Sequence, residues 1–260
     1  MNEAERIKQI LNILYQEQTV TSEKLEKLFN VSPITIRRDL QKLSEKGLIV
    51  RYRGGAMLTR STFGHEPPLH EREANNLAEK RTIAKVAASL INDGEVIALD
   101  VGSTSIELAK VLRGRSNITV FTASLPIANI FLNTNVTVYL VGGILQHKEN
   151  CIGGPVARGV IRQYHFDKFF LGAAGVSDKS DITDFGMDEV ETKRAFIERS
   201  KEVILLADSS KFSKVSFVTI CRFSDVDHII TDYHIDPQTQ TNMKKRGVNL
   251  IISNCDEDLI

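Results

Sequence analysis

From Glu79 onward, short apolar runs with strand character alternate with stretches of helical period, and this alternation constrains the fold more than any other feature of the chain. The runs that fit strands are 96–100, 118–122, 136–141, 168–171, 203–207, 228–231 and 249–252, with helical stretches between them at, for instance, 105–112, 190–199 and 238–246. Strands separated by helices do not close as hairpins. They build a mostly parallel sheet covered by helices, so the sequence predicts an α/β class for this part.

The first sixty residues follow another period. Ile7, Ile10, Leu11 and Leu14 recur at i, i+3, i+4 and i+7, the stripe of an amphipathic helix. Thr21 or Ser22 is placed to cap a short second helix, with Leu25 and Leu28 expected to face inward. Ser32 suits the N-cap and Pro33 the first turn of a third helix, whose buried stripe is Ile36, Leu40 and Leu43 and which Gly47 stops near Lys46. Residues 49–57 alternate and then turn on Gly54-Gly55, a short basic hairpin or wing. A Ser, Thr, Pro, Glu and Arg-rich stretch with Pro67-Pro68 in its middle reads as a linker. The expected organisation is therefore a winged helix-turn-helix over 1–58, a linker over 59–78 and an α/β domain over 79–260.

Charge separates the same parts. The net charge is zero, but residues 1–60 carry 11 Lys/Arg against 7 Asp/Glu, and the remainder carries the compensating acidic excess. A basic head on an acidic body is expected where only the head meets a phosphate backbone. No apolar run is long enough to span a bilayer, so no membrane role is expected. The three cysteines are far apart and odd in number, and the six histidines are scattered. Together these features predict a cytoplasmic protein with no metal site and no cofactor.

A helix-turn-helix lays its second helix in the major groove, where base edges differ in donors and acceptors. With Ile36, Leu40 and Leu43 inward, the opposite face presents Ile34, Arg38 and Gln41. Arg38 suits a bidentate contact to guanine and Ile34 a thymine methyl. Ser32, Thr35, Arg37 and Lys42 are placed for phosphates, and Arg51 and Arg53 bring the wing to the adjacent backbone or minor groove. A pair of arginines on a helix is, alone, most often a solvated face. Three helices of suitable length, the Ser-Pro start and the basic hairpin together favour operator DNA as the partner. Short operators usually demand at least a dimer, so a homo-oligomer, dimer or tetramer, is expected.

Beyond the strands, Asp100-Val101-Gly102-Ser103-Thr104-Ser105 joins a strand end to a helix start. Small residues there let backbone N–H groups approach an anion at the helix N-terminus, and the hydroxyls add donors. Thr122-Ala123-Ser124 repeats the arrangement after the next strand, Gly142-Gly143 follows the third, and Lys211 lies in a turn after the strand at 203. The expected effector-binding set is Asp100, Gly102, Ser103, Thr104, Thr122, Ser124, Gly142, Gly143 and Lys211, lining one pocket at the strand C-termini. Plain helix capping explains any one of these turns equally well. Neither GxxxxGK[ST] nor GxGxxG occurs, which disfavours a nucleoside triphosphate or dinucleotide.

Residues 31–43, from Val31-Ser32-Pro33 through Arg37-Arg38-Asp39-Leu40 to Leu43, followed by Gly47-Leu48 and Arg53-Gly54-Gly55-Ala56, resemble the head of DeoR-type bacterial repressors. Glu79-Lys80, Asp93-Gly94, Asp100–Thr104, Gly142-Gly143 and Asp208-Ser209-Ser210-Lys211-Phe212 resemble the effector domain of the same regulators. The resemblance implies a sensor domain similar in fold to ribose-5-phosphate isomerase, a phosphorylated sugar or sugar derivative as effector, and control of a carbohydrate-use operon. The alternative is a sugar-phosphate isomerase fused to a DNA-binding head. Isomerisation needs a positioned carboxylate base, and Gly172-Ala173-Ala174-Gly175 lacks the carboxylate of the isomerase's Gly-Ala-Asp segment. Asp184, Asp188, Glu189 and Glu191 remain nearby, but acidic residues also simply suit a helix start. The expected protein has no catalytic residues and is not an enzyme.

Overall fold

The computed structural model describes residues 3–17, 19–45, 48–58, 67–178 and 180–254. The chain divides into two compact units, one within residues 1–65 and one within 66–260.

The first unit contains α1 (Glu3–Glu17), β1 (Thr19–Thr21), α2 (Ser22–Phe29), α3 (Pro33–Glu45), β2 (Ile49–Tyr52) and β3 (Gly55–Leu58). Thr21 Oγ1 accepts from Lys24 N at 3.2 Å and Ser32 Oγ from Thr35 N at 3.3 Å, so both helix starts are capped where the sequence places them. Ile10, Leu14, Leu25, Ile36, Leu40 and Leu43 form one core with Ile49 and Ala56. Leu28 is instead 58% exposed. It stands in the last turn of α2, outside the cluster that encloses Leu25. Lys46 and Gly47, expected to stop α3, lie outside the described residues.

The hairpin β2–β3 gains a third strand, β1, which pairs antiparallel with β3 (Val20 opposite Ala56). That pairing fixes Gly55: a Cβ there would stand 2.2 Å from Val20 O, so a side chain would push the strands apart. Under the helices, Arg6 Nε donates to Asp39 Oδ2 at 2.6 Å with both side chains buried. Asp39 sits between Arg38 and Leu40, and its pairing fixes the rotation of α3 relative to α1.

The second unit begins earlier than the sequence suggests. Residues 59–66 of the expected linker lie outside the described residues. The rest of that span forms α4 (Leu69–Ala74) and the start of α5 (Leu77–Ser89), and Leu69 is buried in the same core as Ile83 and Ala84. The Pro67-Pro68 pair thus precedes a short helix that packs onto this unit.

There follow β4 (Val96–Leu99), α6 (Ser103–Leu112), β5 (Thr119–Thr122), α7 (Leu125–Ile130), β6 (Thr137–Leu140), β7 (Ile144–Gln146) and β8 (Cys151–Gly153). Next come α8 (Gly154–Ile161), β9 (Phe166–Gly172), β10 (Gly175–Ser177), β11 (Asp181–Asp184), α9 (Met187–Ile197) and β12 (Ser200–Leu206). β13 (Val218–Cys221), β14 (His228–Thr231), α10 (Pro237–Lys245) and β15 (Leu250–Ile252) complete the unit.

The seven runs read as strands make one seven-stranded sheet in the order β15-β14-β12-β9-β4-β5-β6, with every neighbouring pair parallel. Alternate residues feed two cores: Phe169, Leu171, Val203 and Leu205 face one, and Phe170, Ile204 and Leu206 the other. Helices α5, α6 and α7 cover the second face, and α8, α9 and α10 the first. The short pairings β7–β8 and β10–β11–β13 stand outside this sheet and are not legible in the sequence pattern. No helix among the described residues is long and apolar enough to cross a membrane.

Removing Arg6 leaves Asp39 buried and unpaired, so Arg6→Met should lower the stability of the first unit by about 3–5 kcal/mol. Calorimetry on the full chain checks this: the first unit's transition should fall, the second's should stay, and Arg6→Met/Asp39→Leu should recover most of the loss.

Candidate functional site

In the first unit, the outward face of α3 carries Ile34 (76% exposed), Arg37, Arg38 and Gln41, as the period requires. Ser32 is exposed and caps the helix, with Thr35 Oγ1 at 2.9 Å from its hydroxyl. No hydrogen bond or ion pair holds Arg37, Arg38 or Arg53 among the described residues. Lys42 is paired with Glu3 at the start of α1, and Arg51 on β2 donates to Gln41 Oε1. Gln41 Nε2 in turn donates to Glu45 at 2.9 Å. The unit therefore presents the exposed arginines Arg37, Arg38 and Arg53 and the apolar Ile34, flanked by polar groups held in exposed, solvent-screened contacts.

In the second unit the strand order supplies a place for a ligand. The chain runs β4→β5→β6 outward, then returns to β9 on the other side of β4. Beyond the C-termini of β4 and β9 the connections diverge to opposite sides, which opens a crevice at this switch point. A cleft there, about 440 Å³ of open space, is lined by residues 101–105, Gly172, Ala173, Leu206 and Lys211, together with Arg72, Glu149, Asp184, Glu189 and Lys193.

The first and fourth expected turns thus converge: Gly102, Ser103, Thr104 and Lys211 share one cleft. The turns after β5 and β6 do not line it. They sit one and two strands beyond β4, on the side away from β9, and neighbouring strands are about 4.8 Å apart. Thr122 is fully buried and donates to Leu99 O at 2.9 Å, while Ser124 caps α7 by accepting from Ile127 N at 3.3 Å. Gly142 and Gly143 follow the edge strand β6.

Asp100 faces inward rather than toward a ligand. Its Oδ2 accepts from Lys193 Nζ at 2.7 Å and from Gly172 N at 2.8 Å. Lys193 also meets Asp184 Oδ2 at 2.8 Å and donates to Gly172 O at 3.0 Å. Burial pulls the Lys193 pKa down, but the two carboxylates outweigh it and hold the ammonium protonated.

The helix α6 starts at Gly102, at φ +132°, with no side chain bonded across its first turn. Its free N–H groups and partial positive charge face the cleft. A Cβ on Gly102 would stand 4.0 Å from Arg72 Nη1, so the guanidinium lies beside this helix start. Arg72 is also paired with Glu149, and its Nε donates to Pro67 O at 3.0 Å. Lys80 anchors the segment by donating to Arg72 O and Asn75 O; burial brings its pKa down to about 8. Ser105, 1% exposed, lines the cleft, and its Oγ has no hydrogen-bond partner among the described residues. Donors on several elements therefore line one cleft, an arrangement suited to an oxyanion.

Arg72, Glu149 and Lys193 line the cleft without having been singled out in the sequence, and Glu189 was singled out there only as a nearby carboxylate. Lys193 left a readable signal, since it falls between Val190 and Phe196 on the buried stripe of a helix, where a lysine requires partners. Arg72 left none, because its place depends on α4 packing.

A family profile described as the DeoR-like helix-turn-helix domain matches residues 6–62, and one described as the DeoR C terminal sensor domain matches residues 75–233. This chain belongs to the DeoR family. Its members here are DNA-binding regulators: the glycerol-3-phosphate regulon repressor of Escherichia coli (strain K12) is 36% identical, over 89% of this chain and 92% of that one. The putative aga operon transcriptional repressor of Escherichia coli O157:H7 is 33% identical over 96% and 93%. The lactose phosphotransferase system repressor of Staphylococcus aureus (strain NCTC 8325 / PS 47) is 31% identical over 93% and 96%. Among solved structures, a ribose 5-phosphate isomerase A from Methanocaldococcus jannaschii overlaps 52% of this chain and 54% of its own, at 21% identity and a TM-score of 0.39.

Within the sensor cleft of this DeoR-family chain, burial raises the Glu189 carboxyl to about 7 from 4.5. The folded state thus favours its neutral form, so stability is highest below pH 4.5 from this group and is lost as pH rises through 7. Glu189→Gln should therefore gain stability relative to the parent at pH 8 compared with pH 5, read from melting temperatures at the two values.

Proposed function

We propose that the chain represses a carbohydrate-use operon and that a phosphorylated sugar or sugar derivative, bound in the β4–β9 cleft, releases it from operator DNA in the cytoplasm. The observation that carries this reading is the convergence on one cleft of the uncapped α6 start, Arg72, Lys211 and the unpartnered Ser105 hydroxyl. The names of the relatives, repressors of glycerol-3-phosphate, aga and lactose systems, support the same class of effector. An isomerase reading is not favoured, because Lys193, Asp100 and Asp184 are locked on one another and Gly172-Ala173-Ala174-Gly175 carries no carboxylate to act as base. Recognition of two half-sites requires a homo-oligomer.

A thermal-shift panel of sugar phosphates on the purified chain tests the effector reading. A true effector at ~100 times its dissociation constant stabilises by about 2.7 kcal/mol. If no sugar phosphate raises the melting temperature, the phosphate site is wrong.

On DNA, Arg38→Ala should cost roughly 1–3 kcal/mol of operator affinity and relax preference at one base pair. Lys42→Ala should weaken all sequences alike and lower the salt slope by about one. Binding across a panel of operator variants separates these outcomes, and an Arg38→Ala profile identical to the parent's would remove Arg38 from the groove.

Thr104→Asp places a negative charge at the α6 start, where it repels a phosphate and occupies its donors. The variant should bind operator as the parent does and no longer release it when the effector is added. Lost stability with unchanged release would instead reduce this turn to a helix cap.

A further inference from the structure

Seating a phosphate at the start of α6 leaves part of the cleft's chemistry unsatisfied. Three of its carboxylates are already engaged: Asp100 and Asp184 on Lys193, and Glu149 on Arg72. Glu189, on the first turn of α9, lines the same cleft and makes no hydrogen bond or ion pair among the described residues. Its side chain bends back toward Gly186, with Oε1 3.2 Å from where a Cβ on that glycine would stand, yet it caps no N–H of its own helix. Ser105 Oγ, buried and also without a partner, borders the same space. A half-buried carboxylate with no hydrogen bond from the protein, beside a buried hydroxyl that also has none, leaves hydrogen-bonding capacity in the cleft that a ligand with hydroxyl groups takes up. Glu189 also borders a second, smaller space lined by Ala123, Gln146 and Cys151.

We propose that Glu189 reads the part of the ligand beyond its phosphate, accepting hydrogen bonds from hydroxyl groups, so that the effector is a phosphate monoester of a neutral polyhydroxylated chain and not a phosphorylated acid. The inference rests on the phosphate reading of the α6 start given above. The discrimination against acids follows from charge: once ionised, above about pH 7, Glu189 adds to the carboxylates of Asp184 and Glu149 that line the same cleft, while Lys193 is held by Asp100 and Asp184 and Arg72 is paired with Glu149. A ligand carboxylate brought there meets like charge in a shielded space, whereas a hydroxyl supplies the missing donor. Glu189 is a specificity residue in this reading, and the phosphate is held by others.

The test is calorimetric titration of the full chain with methyl phosphate, alditol phosphates of three to six carbons, and the aldonate phosphates of the same lengths. The parent should bind at least one alditol phosphate about tenfold or more tighter than methyl phosphate, the scale of a hydrogen bond to a charged group. It should bind the matching aldonate phosphate more weakly than the alditol. Glu189→Ala should collapse the preference for alditol over methyl phosphate. Glu189→Gln, isosteric and neutral, should keep part of that preference and bind the aldonate phosphate better than the parent does. A preference unchanged in Glu189→Ala, or an aldonate phosphate no better bound by Glu189→Gln, overturns the role of Glu189 while leaving the phosphate site standing. A parent that binds none of the probes overturns the phosphate reading and this inference with it.

Discussion

The second unit depends on one buried ammonium. Lys193, 3% exposed, joins Asp100 at the end of β4, Gly172 at the end of β9 and Asp184 at the end of β11 to the middle of α9. Two carboxylates around one cation would be costly in a low-dielectric interior without further donors. The backbone supplies them: Gly172 N donates to Asp100 and Phe185 N donates to Asp184. The ends of the two strands that flank the switch point are thereby locked by charge and not by apolar packing, which keeps the cleft above them open and polar.

That lock also separates floor from walls. Asp100, although it lies in the turn that begins the site, is drawn beneath it, and the groups left facing the cleft are the free N–H groups of α6, the hydroxyls of Ser103 to Ser105, and long side chains arriving from α4, α9 and the turn before Phe212. The cation beside the α6 start comes from Arg72, on a helix bonded back to Pro67. The first element after the segment leading from the head therefore lines the sensor's cleft.

The DNA-binding unit solves a smaller problem with a similar device. An exposed reading helix must keep a fixed rotation although half its surface is solvated. The buried Arg6–Asp39 pair supplies a directional contact that apolar packing of Ile36, Leu40 and Leu43 does not. It leaves Arg37 and Arg38, the immediate neighbours of Asp39, pointing outward.

The sequence by itself determined the main elements, though not α4 or the short strands of β7–β8 and β10–β11–β13. All seven parallel strands, the capped starts at Thr21 and Ser32 and the outward face of α3 follow from period and capping chemistry, because these are local properties of contiguous residues. The order of the strands is not local. Nothing in the turns at 102–104, 122–124 and 142–143 distinguishes them, yet β9 inserts beside β4 and leaves the last two outside the cleft. Tertiary structure alone decided that Arg72 lines the cleft, that Asp100 turns inward, and that Glu189 makes no hydrogen bond or ion pair among the described residues. Each of these depends on which distant residue arrives within about 3 Å, a matter of packing between elements that no run of neighbouring residues encodes.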